Sequence, residues 1–109
     1  TQATSPYFAP DAFWCIVNTL ESVASADQAV RPYHLSVPSF GEWGFVMVGP
    51  ASQSVDHLRP GLETEFLDDE TLTSMFHFPR DLARRDVELN RLTTARVSRY
   101  YRDGWSTFN

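Results

Sequence analysis

Few residues in this chain have the types and spacing that chemistry needs. Three histidines, His34, His57 and His77, are scattered, and apart from ordinary acidic neighbours such as Asp56 none has a His, Cys, Asp or Glu three or four residues away that suggests a metal constellation. Cys15 is the one cysteine, so no intrachain disulfide forms. It sits inside an apolar helical pattern with no nearby His, which reads as a buried inert thiol. There is no G-x-S-x-G, no G-x-G-x-x-G and no Walker pattern, and the five glycines are isolated. What remains is VPSFGEWGFVMV at 37–48. There Phe40 and Trp43 flank Glu42, while Gly41 and Gly44 permit a positive φ or a close backbone approach. An aromatic wall with one carboxylate suits an amine or a nucleoside, through cation–π attraction plus charge, or through stacking. On local chemistry alone the plainer alternative is favoured, with Phe40 and Trp43 in a core and Glu42 in solvent.

Elements must position that stretch. Pro10 and Asp11 suit a helix start, and Phe13, Val17, Leu20 and Ala24 recur at helical spacing, so an amphipathic helix is expected over about 10–25. Residues 30–37 read as a strand with an edge character set by Pro32, and 42–48 as a second strand. Pro38-Ser39-Phe40-Gly41 supplies the turn of an antiparallel hairpin between them. Residues 1–5 read as the tail of a strand and 49–61 as a loop. Asp68 or Asp69 can cap a short helix that Pro79 interrupts, and Val97, Tyr101, Trp105 and Phe108 predict a helix over about 91–106. The fold class is α/β. The order of elements is that of the back half of a doubly wound sheet whose first half is removed.

Composition sets further bounds. The chain has 109 residues, enough for one small domain with a marginal core. Its net charge of −5 argues against nucleic acid as a partner. The charge is uneven, with Glu63, Glu65, Asp68, Asp69 and Glu70 acidic and an Arg-rich C-terminal third. Two solvated faces explain this; steering of a cation or contact with an anionic surface is the alternative. No apolar run approaches the roughly 20 residues of a membrane helix, and the first residues lack the pattern of a signal peptide. The lack of an initiator Met is what a processed product or a fragment would show.

At QATSPY (2–7) and VPSFGEWGF (37–45) the chain resembles the C-terminal part of the spermidine synthases, the polyamine aminopropyltransferases. The likeness extends through the helix between these segments and to MFHFPRD at 75–81, and is loose beyond. It is nearest to a bacterial subgroup whose synthase domain follows N-terminal membrane helices. The resemblance implies a Rossmann-like, methyltransferase-type sheet and transfer of an aminopropyl group from decarboxylated S-adenosylmethionine, the co-substrate, to putrescine. It implies no metal and no cofactor held by this segment. Residues 1–109 would be the C-terminal portion of the catalytic domain, inactive alone, with the nucleotide-binding half and the catalytic aspartates upstream. One side of the diamine pocket carries over, on Tyr7, Phe40, Glu42 and Trp43. Phe40 stands where the family usually has Tyr, so a hydroxyl is missing there. A cytoplasmic domain is implied, attached to a membrane only through a missing N-terminal region. A homo-oligomer is expected, because half a sheet leaves apolar surface near Gln2 or on the face of the first helix uncovered. The rival readings are a non-enzymatic polyamine-binding or accessory module of the same fold, and a methyltransferase-fold enzyme acting on another nucleophile.

Overall fold

The computed structural model describes residues 1–54 and 63–108. The expected loop at 49–61 lies partly, and His57 wholly, outside the described residues. Helix α1 spans Pro10–Val23, strand β1 Gln28–Val37 and strand β2 Gly41–Pro50. Helix α2 spans Asp69–Met75, a single 3-10 turn follows at Arg80–Leu82, and helix α3 spans Arg96–Ser106.

β1 and β2 pair antiparallel, with Tyr33 opposite Phe45 and Leu35 opposite Trp43. Pro38 presets the turn. The Phe40 N–H closes it on the Val37 carbonyl at 2.9 Å, and Gly41 takes a φ of +74°. Residues 1–4 run antiparallel along the other side of β2. Val46 exchanges bonds of 2.7 and 2.9 Å with Thr1, and the Ala3 N–H donates to the Gly44 carbonyl at 2.9 Å. Both backbone groups of Val46 therefore face Thr1. Pro32, opposite Val46, lies at a non-hydrogen-bonded position, and the N–H it lacks would have pointed off the edge. Thr4 ends this short strand at φ +61°, its carbonyl turned to accept from the Gly44 N–H at 2.7 Å.

Strand alternation gives the sheet two faces. α1 packs on the face carrying His34, Gly44 and Val46. Phe13, Val17 and Val46 are fully buried there, with Trp14 and Ala3 beside them. Gly44 makes this packing feasible: a Cβ on it would lie 2.3 Å from the Phe13 ring. Phe78 closes the cluster, its ring 5.7 Å from Phe13 and 5.1 Å from Trp14. The opposite face presents Tyr33, Leu35, Trp43, Phe45 and Met47, all half-buried, with Phe76 lying 5.4 Å from Tyr33. Phe76 and Phe78 thus straddle the outer edge of β1.

Two expectations change. The expectation of open surface on α1 or near Gln2 changes only in part: α1 buries Phe13, Trp14 and Val17 within the chain, while Val23 at its end and Gln2 are exposed. The last helix begins at Arg96, not near 91, because Asn90 Oδ1 takes the Val97 N–H at 3.1 Å and Ala95 turns left-handed at φ +46°. Among the described residues, no helix is long and apolar enough to cross a membrane.

Candidate functional site

Local chemistry builds the site from two turns. Ser5, fully buried, accepts through Oγ from the N–H groups of Tyr7 at 3.2 Å and Phe8 at 3.0 Å. Its carbonyl takes the Ala9 N–H at 3.0 Å. This serine-nucleated turn swings Tyr7 outward, half-exposed, ahead of α1. Phe8 meets the Tyr7 ring edge-on at 5.1 Å and stacks on Trp105 at 4.9 Å, with Phe108 edge-on at 4.8 Å. Gly104 permits that docking, since a Cβ there would meet the Ala9 Cα at 2.7 Å.

The second turn is the hairpin tip. Phe40 is 60% exposed, and its ring lies 5.5 Å from that of Trp43. Gly41 reaches the first turn: a Cβ on it would sit 3.4 Å from Phe8 Cε2. Phe8 thus joins the first turn to Gly41, while the Tyr7 ring lies against Phe8 at 5.1 Å and near Phe108 at 6.0 Å, apart from the Phe40–Trp43 pair.

Glu42 parts from its aromatic neighbours. Strand parity turns it to the α1 face, where Oε1 pairs with His34 Nδ1. His34 Nε2 contacts the His77 carbonyl at 2.6 Å, and Phe78 lies 4.5 Å from its ring. The rings of Phe40 and Trp43 thus meet each other, not across Glu42. Sequence reasoning passed over His34 because its partner is cross-strand, not three or four residues along a helix. Given a turn at 38–40, Ser36 falls opposite Glu42, and His34 is its diagonal neighbour on the same face.

Arg84 and Arg85 are engaged in ordinary structural pairs. Arg84 forks onto Glu21 at 2.8 and 2.9 Å and lies 5.0 Å over the Trp14 ring. Arg85 pairs with Asp11 at 3.1 Å. Arg84 and Arg85 also line an open trough of about 910 Å³ between Asn18 and the 84–89 segment. A smaller crevice of about 310 Å³ is lined by Tyr7, Asp11, Tyr100, Asp103 and Phe108. Burial pushes the Cys15 thiol up from its ordinary value, the opposite of nucleophile activation. Among the described residues no three His, Cys, Asp or Glu side chains gather where they could hold a metal.

A helix laid over an antiparallel hairpin, with an aromatic lip at the hairpin tip, is a piece of an α/β domain. Comparison with known proteins places it. The chain is 44% identical over 108 residues to polyamine aminopropyltransferase 2 of Ralstonia nicotianae, a match covering 95% of this chain and 20% of that protein. It is 41% identical over 107 residues to the polyamine aminopropyltransferase of Leptospira interrogans, covering 96% and 20%. For the enzyme of that name from Mycobacterium tuberculosis the figures are 37% over 109 residues, 95% and 20%. No family model matches the chain, and no solved structure does. Along about 95% of its length the chain is thus similar to proteins named polyamine aminopropyltransferase. It spans about a fifth of the length of the curated relatives it matches.

Proposed function

We propose that the full-length protein moves an aminopropyl group from decarboxylated S-adenosylmethionine to putrescine, making spermidine. The observation that carries this reading is the likeness to polyamine aminopropyltransferases along 95% of the chain. In the reaction an amine nitrogen attacks the aminopropyl carbon beside the sulfonium. The C–S bond breaks, methylthioadenosine leaves as a neutral thioether, and the amine gives up a proton. Such a step needs an amine that is deprotonated, close and in line.

Residues 1–109 supply one wall of the acceptor pocket in this reading. Phe40, backed by the Trp43 ring at the hairpin tip, packs against the methylene chain of the diamine, and Glu42, on the α1 face beside the tip, offers a carboxylate to its far ammonium. The ligands for the nucleoside and the base for the attacking amine lie outside these residues, so 1–109 alone is inactive. Phe40 has no hydroxyl and relays no proton. The domain is cytoplasmic, any membrane attachment belongs to a region outside 1–109, and the protein is a homo-oligomer.

The test is methylthioadenosine release by the purified full-length protein given decarboxylated S-adenosylmethionine and putrescine. No release with putrescine or any other diamine overturns the reading. A non-enzymatic polyamine-binding role is the second reading, favoured by Phe40 and by the engagement of Glu42 with His34. Calorimetric binding of putrescine without release of methylthioadenosine would select it.

A further inference from the structure

We propose that His34 is a positioning residue for the diamine pocket, holding the Glu42 carboxylate in one orientation toward the acceptor amine. The inference rests on the aminopropyltransferase reading above. The geometry allots the protons. The His77 carbonyl only accepts, so the Nε2 that reaches it at 2.6 Å carries a hydrogen. Nδ1 and the Glu42 Oε1 then face each other, and an imidazole lone pair against a carboxylate would be repulsive. The ring thus engages Glu42 through Nδ1 and the His77 carbonyl through Nε2, a two-ended clamp.

The clamp is anchored at both ends. His34 sits on β1, and its ring lies 4.5 Å from the Phe78 ring. Phe78 in turn packs on Phe13 and Trp14 in the core. Glu42 stands at the start of β2, beside the hairpin tip. Its side chain is 27% exposed against 12% for His34, so it is the outer member of the pair. Among the described residues, Oε1 alone is engaged by protein, and Oε2 remains for a ligand ammonium. A free glutamate loses rotamer freedom on taking up an ammonium; one already clamped loses less.

The experiment compares His34→Ala, His34→Asn, His34→Gln and Glu42→Gln in the full-length protein, with KM measured separately for putrescine and for decarboxylated S-adenosylmethionine. His34→Ala is expected to raise the putrescine KM by about tenfold, the effect of one hydrogen bond to a charged group, with the other KM within about twofold. Asn places an N–H near the former Nδ1 and Gln near the former Nε2. His34→Asn should therefore recover putrescine KM better than His34→Gln. Adding His34→Ala to Glu42→Gln should cost little beyond Glu42→Gln alone. A putrescine KM unmoved in His34→Ala overturns the proposal. So does rescue by Gln and not Asn, which would mark a clamp for the His77 segment alone. If His34→Ala fails to fold, the Asn and Gln variants decide. Wild-type protein that releases no methylthioadenosine with any diamine overturns the aminopropyltransferase reading itself, and the role of His34 with it.

Discussion

Glu42 shows how one residue's role changes with its neighbours. In sequence it lies between Trp43 and Gly41, with Phe40 close by, and looks framed by rings. In the folded chain it shares a face with His34 and turns from Trp43. Gly44 carries a comparable constraint. Nothing in its local sequence demands glycine, yet Phe13 crosses the sheet directly above it. Gly44→Ala would bring a Cβ within 2.6 Å of two Phe13 ring atoms and 2.9 Å of the Thr4 carbonyl. Overpacking of this kind is expected to destabilise the fold by about 1–3 kcal/mol, read as a lower denaturation midpoint with an unchanged slope. An unshifted midpoint would mean that the Phe13 ring yields without strain.

At the scale of elements, α1 and the hairpin were legible because their patterns are local. Phe13, Val17 and Leu20 mark a helical stripe, and Pro38 with Gly41 marks a turn. α2 follows from its cap: Asp68 accepts the Thr71 N–H at 2.7 Å. That bond holds the Asp68 carboxyl below its ordinary value of 3.8. A carboxyl lowered on folding stabilises above its unfolded value and loses that contribution as pH falls through the folded one. Exchange protection of the Thr71 amide should therefore fade between about pH 5 and pH 2. Asp68→Ala should remove both the protection and its pH step. Protection that persists unchanged in acid would refute the cap. The start of α3 was not legible, since it is decided by Asn90, seven residues before Val97.

At the scale of the whole molecule, the sheet is covered unevenly. α1, Phe78 and Val87 close one face, while Tyr33, Leu35, Trp43, Phe45 and Met47 stay half-exposed on the other. Apolar area left partly open across one face in this way seeks a cover. The 109-residue chain prepared alone is thus expected to self-associate, with a sedimentation coefficient that rises with concentration. A coefficient that stays at the monomer value would count against that and against this face as the site of association.

The sequence alone determined the α/β class, the helix, the hairpin and its turn, and the family likeness. Each of these is written in residues adjacent in the chain or a helical turn apart. The tertiary structure decided the partnerships. It set Glu42 on His34, Phe8 on Trp105, and the His77 carbonyl on the imidazole. It also required Gly44 beneath Phe13 and Gly104 against Ala9. The last four of these contacts join residues 31 to 97 positions apart, and no local periodicity encodes them. The Glu42–His34 pair spans only 8 positions, yet it too depends on strand register, which is known only once the turn at 38–40 is placed.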